Sequence, residues 1–459
     1  MQYELAQTAA ARARAQEGVH VVNALLKRIR GRTTREIAAS VELAAREGAL
    51  GGGARLPTVR GLAAALGVSP ATVASAYKEL RLRGVLVARG RQGTRLSRPP
   101  RAAVASQDAL PRGVRDLRDG NPDPALLPPF GAALRRIDAT HHLYGGDPAL
   151  PGLAKLVARD LADDGVRTGE VAFVSGAMDG LDRVLAESLR PGDAVAVEDP
   201  CFGNVHELAL ARGLVPLPVG VDDEGVLPDE VERAFAGGAR ALIVTPRAQN
   251  PFGSAFTPAR AKALRALVRA RPEVLVIEDD HASLITRAEL APIHVDARRW
   301  AHVRSFSKGL NPDLRLAAVT GDEETLRRVQ ARQRVGERWV SHLLQRLALE
   351  LLSDAGVRRG LRKAADVYAE RREALLAELE ARGVRAFGSS GYNVWIPVES
   401  ESATLAALFA RGFAVAAGDR FRMRSAPAVR VTAASLSPRD AKAFAAAWTS
   451  VGGGSSAGV

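Results

Sequence analysis

One stretch, VRSFSKGLNPDLRLAAVTG, sets a lysine among groups suited to a phosphorylated aldehyde: Lys308 follows Ser305 and Ser307, and Arg315 comes seven residues later. A lysine that condenses with an aldehyde must lie beside an apolar ring, its ligand's phosphate neutralised by hydroxyls and a guanidinium on the adjoining loop. Alone, this spacing also describes an ordinary polar loop, so its meaning depends on four stretches upstream. VLVIEDDH ends an apolar run in carboxylates, one of which can accept a hydrogen bond from a protonated ring nitrogen. VTPRAQNPFG carries Asn250 at another strand end, beside Pro251 and Gly253. VSGAMDGLDRVL reads as strand, small-residue turn and helix, a form that aims the backbone N–H groups of Gly176, Ala177 and Met178 at an anion. VAVEDPCF offers Phe202 as a ring to stack on a flat ligand. Each piece by itself is also a plain core or turn element. All five together favour a ligand site over five unrelated core or turn elements.

Such a site needs a frame. The apolar runs 171–174, 194–197, 241–244 and 274–277 alternate with long helical patterns, the sequence form of a parallel sheet covered by helices. The chain has 459 residues, 47% of them apolar, which is enough for about two to four domains with cores of their own. Cys201 is its single cysteine, so no internal disulfide forms. No run of 18 apolar residues and no secretory signal pattern occurs, and the expectation is a soluble protein of the reducing cytoplasm without membrane contact.

The charge is concentrated at one end. Residues 1–100 hold 17 Lys or Arg against six Asp or Glu, a net of +11, whereas the whole chain nets +13. A positive field on one domain is what a polyanion-binding module presents. Within it, LPTVRGLAAALG has Thr58 to cap a helix, Leu62, Ala63 and Leu66 to face inward and Gly67 to end it. VSPATVASAYKELRLRG follows after about three residues, with Ser69 as a cap, Pro70 at the first helical position and Val73, Tyr77 and Leu80 on one face. This is helix-turn-helix spacing, and VLVARGRQGTRLS reads as a basic wing with Arg89, Arg91 and Arg95. An ordinary three-helix domain with a surface hairpin fits the apolar spacing equally well but leaves the charge unexplained. Presented to a major groove, the second helix would offer Ala71, Thr72 and Ser75 to base edges, with Arg60 and Lys78 flanking them and Arg91, Gly93 and Thr94 in the wing.

The head, from LPTVRGLAAALG through GRQGT, resembles the GntR family of bacterial regulators, most of whose members have Arg where this chain has Pro70, so no base contact carries over there. The body, from about Asp116 to Trp448, is similar to fold-type I aminotransferases, and the combination resembles the MocR subfamily of transcriptional regulators. The expected fold is therefore α/β, a winged helix-turn-helix followed by a fold-type I domain with a mainly parallel sheet. Expected segments are an arm at 1–31, the head at 32–96, a linker at 97–115, the body at 116–450 and a tail at 451–459. The resemblance implies pyridoxal 5'-phosphate as cofactor and Lys308 as the residue that links to it. It implies Asp279, with Asp280 as the alternative, as partner of the ring nitrogen. Asn250 would donate to the ring oxygen; Ser305, Ser307, Arg315, Gly176, Ala177 and Met178 would hold the phosphate. Tyr144 would complete the phosphate site of a neighbouring subunit in a homodimer, and Arg430 would take a substrate carboxylate. His281 stands where many relatives have Tyr, and its imidazole can donate the same bond. The resemblance thus implies a cofactor-responsive regulator of a double-stranded operator, with an amine as candidate effector and vitamin B6 salvage genes as first candidates for control. The rivals are a working aminotransferase with a DNA-binding appendage and a dimeric repressor that has lost its cofactor.

Overall fold

The computed structural model describes residues 29–46, 54–82, 85–88, 93–96, 110–138 and 140–449. Most of the arm and linker, the tail, residues 47–53 and the wing tip with Arg89 and Arg91 lie outside the described residues. The chain divides into two compact units, one holding the head together with residues 190–193 and 207–215, the other the rest of the body.

The head packs three helices, Thr34–Arg46, Val59–Leu66 and Pro70–Leu82, under a hairpin of β1 (Leu86–Ala88) and β2 (Thr94–Leu96). The Thr58 hydroxyl accepts the Gly61 N–H at 3.1 Å, and Gly67 caps the same helix with φ +65°. Ser69 Oγ accepts the Thr72 N–H at 3.1 Å, which lets the recognition helix start at Pro70. Ile37, Val41, Leu62, Val73, Tyr77 and Leu80 are at most 1% exposed and meet in one core. Tyr77 donates its hydroxyl to Pro57 O at 2.9 Å, so the ring is buried without an orphaned polar atom. Ile29, which its spacing assigns to the N-terminal arm, is buried in this core instead, and Arg30 N–H is accepted by Ser40 Oγ. An apolar side chain beside an open helix face gains more from joining it than from lying on a solvated arm.

The body begins with β3 (Arg115–Leu117), so the last residue assigned to the linker already lies in a strand. Its larger sheet comprises β4 (Ala172–Val174), β5 (Ala194–Asp199), β6 (Val215–Asp222), β7 (Gly225–Val226), β8 (Ala239–Val244), β9 (Leu275–Asp280), β10 (Arg299–Ser305) and β11 (Ala317–Gly321). Their order is β4-β11-β10-β9-β8-β5-β6-β7, with β5, β8, β9 and β10 running parallel and β11 antiparallel to both its neighbours. β9 is apolar through Ile277 and buried throughout, as a central strand covered on both faces must be. A smaller sheet joins β12 (Asn393–Pro397), β13 (Phe413–Ala417) and β14 (Ala428–Thr432) to β3 in the order β12-β14-β13-β3. β3 therefore pairs in parallel with β13, which pairs with β14. Among the described residues no single helix is long and apolar enough to cross a membrane.

Candidate functional site

Three consecutive carboxylates end β9, and strand alternation sends Asp279 to one face and Glu278 and Asp280 to the other. On the face of Asp280, Arg247 Nε and Arg304 Nε donate to its carboxylate at 2.8 and 2.9 Å, and Asp164 binds both guanidiniums. Against the cost of burial, these arginines hold the Asp280 carboxyl well below the usual carboxylate range. Glu278 accepts His294 Nδ1 at 2.7 Å and His302 Nδ1 at 3.0 Å, together with the backbone N–H groups of Ile293 and His294. Asp279 is different. It is 7% exposed, its Oδ1 has no hydrogen-bond partner among the described residues, and burial, followed by the adjacent Asp280, raises its carboxyl to about 7. A buried carboxylate left without a donor is costly, and a protonated ring nitrogen is a donor that would relieve it. Asp280, the alternative assignment, is fully engaged in the fold.

Lys308 lies in the turn after β10 and is half-buried. Burial, then Arg430 and more weakly Arg315, pull its ammonium down to about 8, with Asp119 opposing them. Ser305 and Ser307, 6% and 9% exposed, flank the same turn, and Ser305 Oγ accepts the Ser307 N–H at 3.3 Å. Arg315, exposed and with φ +44°, reaches across to Ser175 O at 3.4 Å. It thereby meets Gly176, which caps helix Ala177–Ser188 with φ +96°, and a Cβ at 176 would lie 2.5 Å from Arg315 Nη2. The helix N-terminus and the guanidinium thus converge on one spot, a cradle for an anion. One member of the expected set departs from it: Gly176 N–H is accepted by Val174 O at 2.8 Å, a tight local turn that takes this donor out of use. Ala177 and Met178, at the first two helical positions, supply the N–H groups that no intrahelical carbonyl can reach.

Arg430, on β14, is 3% exposed. Its Nη1 donates to Asn250 Oδ1 at 3.0 Å, its Nη2 donates to Arg118 O, and its guanidinium lies 4.7 Å from the Phe421 ring centre. Burial, then Arg420, lowers it to about 10. Asn250 Oδ1 is occupied in this way, so its amide N–H groups remain for a ligand. Burial and the nearby Lys308 lower His281 to about 4, which leaves a neutral imidazole with one N–H donor at neutral pH. Phe202 is half-buried just after β5. Tyr144 is 80% exposed, packs edge-on against Trp339 at 5.5 Å and lies under Arg338. Several contacts gave no sequence signal. Gln249 Nε2 donates to Glu198 and to Pro200 O at 3.0 and 2.8 Å, which pins the loop carrying Asn250. Gly120 O, in the DGNPDP stretch, accepts from both Lys308 and Tyr392.

In the head, Arg60, Ala71, Ser75 and Lys78 are exposed, as groove contact requires. Thr72 is only half-buried rather than exposed, and its hydroxyl lies 2.8 Å from Ser69 Oγ, because it closes the helix cap. Gly93 and Thr94 are half-buried at the start of β2, with Arg55 beside Gly93.

Fold and site define the class: a helix-turn-helix DNA-binding head joined to an aminotransferase-like body. The family "Aminotransferase class I and II" matches residues 132–447, and "Bacterial regulatory proteins, gntR family" matches residues 33–96. The chain is 39% identical over 423 residues to the vitamin B6 salvage pathway transcriptional repressor PtsJ of Salmonella typhimurium, covering 91% of this chain and 98% of that protein. It is 31% identical to the HTH-type transcriptional regulator TauR of Rhodobacter capsulatus, covering 75% and 80%. Among solved structures, the body is similar to LysN, an alpha-aminoadipate aminotransferase from Thermus thermophilus complexed with N-(5'-phosphopyridoxyl)-L-leucine. There the TM-score is 0.67 at 24% identity, covering 77% of this chain and 96% of that one. Pyrococcus horikoshii kynurenine aminotransferase gives a TM-score of 0.67 at 20% identity, covering 74% and 91%. The chain belongs to the MocR-type transcriptional regulators, a GntR helix-turn-helix fused to an aminotransferase class I and II domain.

Proposed function

We propose that this regulator binds pyridoxal phosphate in its body, and that the state of that site modulates the grip of its head on an operator. Asp279 carries the cofactor reading: its buried Oδ1 lacks a donor, and a protonated pyridine nitrogen is the donor it fits. Lys308 would take the aldehyde carbon, Asn250 and His281 would donate to the ring oxygen, and Phe202 would cover the ring. Arg315, Ser305, Ser307 and the Ala177 and Met178 N–H groups behind Gly176 would hold the phosphate, while Arg430 takes a carboxylate of an amine effector. Bound there, the cofactor supplies an electrophilic carbon and an electron-withdrawing ring. A lysine near 8 is partly neutral at physiological pH, the form that attacks a carbonyl.

In the head, Arg60, Ala71, Thr72, Ser75, Lys78, Arg91, Gly93 and Thr94 form the DNA-facing set, and two copies would read paired half-sites. The second copy is supported by Leu134, Leu143, Tyr144, Val335 and Leu343, large apolar side chains between 52% and 83% exposed. Covering them with another subunit removes apolar surface from water and brings Tyr144 to a neighbour. Control of vitamin B6 salvage genes rests on the 39% likeness to the Salmonella repressor.

Purified protein mixed with pyridoxal phosphate should absorb at roughly 330 to 430 nm, the general range of this chromophore on a lysine. Lys308→Ala should abolish that band. Footprints on the protein's own upstream DNA should differ with and without pyridoxal phosphate, and identical footprints would contradict the modulation. A working aminotransferase is the second reading, favoured by Lys308 and Arg430 both donating to the same backbone piece, Gly120 O and Arg118 O. Single-turnover assays with amino acids decide it, since efficient turnover to pyridoxamine phosphate would displace the regulator-only view.

A further inference from the structure

Lys308 and Arg430, the residues proposed to take the aldehyde carbon and a carboxylate, both rest on the same short piece of backbone. Lys308 Nζ donates to Gly120 O at 2.7 Å, and Arg430 Nη2 donates to Arg118 O. Gly120 has φ +67°, and a Cβ there would lie 3.2 Å from both Arg430 Nη1 and Nη2, so the guanidinium lies directly against this glycine. Tyr392 Oη donates to the same Gly120 oxygen at 3.0 Å. Its ring packs edge-on against Tyr368 at 5.2 Å, and Tyr368 Oη accepts the Asp123 N–H at 3.0 Å. Two buried tyrosines therefore hold the loop 120–123 in place while its carbonyls hold the lysine and the arginine. The piece leads directly out of β3, the strand by which the chain coming from the head enters the body.

We propose that Arg118–Gly120 is a ligand-released latch positioned by Tyr392: its carbonyls stand in for the ligand at Lys308 and Arg430, and occupation of the site frees the strand that leads to the head. The inference rests on the cofactor reading above and names the regulation of that site. The chemistry is competition for donors. Condensation of the lysine amine with an aldehyde forms a C=N bond and releases the aldehyde oxygen as water, leaving Nζ with at most one proton instead of three. A ligand carboxylate likewise offers Arg430 a charged, bidentate acceptor that outcompetes a single neutral carbonyl. Each substitution removes one anchor of the 118–120 backbone.

Hydrogen exchange on the full chain tests this through the peptide spanning 113–121. Ligand-free wild type should exchange slowest there, pyridoxal phosphate should speed exchange roughly ten-fold by engaging Lys308, and N-(5'-phosphopyridoxyl)-L-leucine, which has no aldehyde for Lys308 but offers Arg430 a carboxylate, should speed it through Arg430. Lys308→Ala should show the faster exchange without any ligand, so the latch is tested even if pyridoxal phosphate fails to bind. Equal exchange in ligand-free wild type, loaded wild type and Lys308→Ala overturns the latch. Absence of the absorption band with wild type instead overturns the cofactor reading. Tyr392→Phe keeps the ring and removes the hydroxyl that positions Gly120 O, so the carbonyl holds the Lys308 ammonium more weakly. The pH midpoint of the pyridoxal phosphate association rate, set by Lys308 among Arg430, Arg315, Asp119 and His281, should lie near 8 in wild type. It should move down by several tenths in the variant, because a weaker bond to the charged form favours it less, and an unmoved midpoint removes Tyr392 from the device.

Discussion

Adjacent carboxylates on β9 serve opposite ends, and substitutions separate them. Asp280 neutralises two buried guanidiniums, so Asp280→Asn should cost about 3 to 5 kcal/mol of folding stability, the usual penalty for leaving buried charges unpaired. Asp279→Asn should leave the fold intact and weaken pyridoxal phosphate binding instead. Urea unfolding of ligand-free protein beside cofactor titration measures both, and equal stability losses would contradict the division. Asp279 also has a pH signature. Its folded-state carboxyl is raised to about 7 from an ordinary 3.8, so between those values the folded chain holds a proton that the unfolded chain has lost. This group therefore makes stability fall as pH rises through that window. Ligand-free wild type and Asp279→Asn should differ little in urea melts at pH 4, with the variant gaining on wild type by pH 8.

Helix ends do the positioning at the next scale up. Gly176 combines φ +96° with the close approach of Arg315, so Gly176→Ala strains the backbone by about 1 to 3 kcal/mol and pushes the guanidinium off the cradle. Pyridoxal phosphate titration should show affinity falling at least ~10-fold, with the head's DNA binding in the absence of cofactor unchanged. In the head, the recognition helix is capped by Ser69 and backed by the preceding helix that Thr58 starts. Arg60, exposed in the first turn of that preceding helix, contributes no core contact, so Arg60→Ala should weaken operator binding by about 1 to 3 kcal/mol while the absorption band stays unchanged. Fluorescence anisotropy with labelled DNA reads the loss, and wild-type affinity would rule out this docking of the head.

Over the whole molecule, the uneven charge and the exposed apolar side chains bear on the partners proposed above. With the first 100 residues carrying +11 of a total +13, operator affinity should fall steeply with salt, by about 10³-fold or more between 50 and 200 mM if six or more phosphates are contacted. Leu143→Asp with Leu343→Asp places charge on two of these exposed apolar positions, and should raise the dimer dissociation constant at least ~10-fold in sedimentation equilibrium. A monomeric wild type would remove the second copy from the account.

What the sequence by itself determined is what local rules govern. Thr58, Gly67, Ser69 and Pro70 set helix ends within a few residues of themselves, and Val73, Tyr77 and Leu80 mark a buried face by spacing alone. The apolar runs of the parallel sheet are legible for the same reason, and the one-sided charge by counting. Only the tertiary structure decided which carboxylate of the Asp279–Asp280 pair stays unpartnered, because Arg247 and Arg304, both also paired with Asp164, reach Asp280 from positions far off in the chain. It likewise decided that Ile29 joins the head core and that Gly176 uses its N–H within its own turn. Lys308 and Arg430 find their carbonyls 188 and 312 residues away, and no periodicity reports a contact whose partner is set by how two sheets and a loop pack.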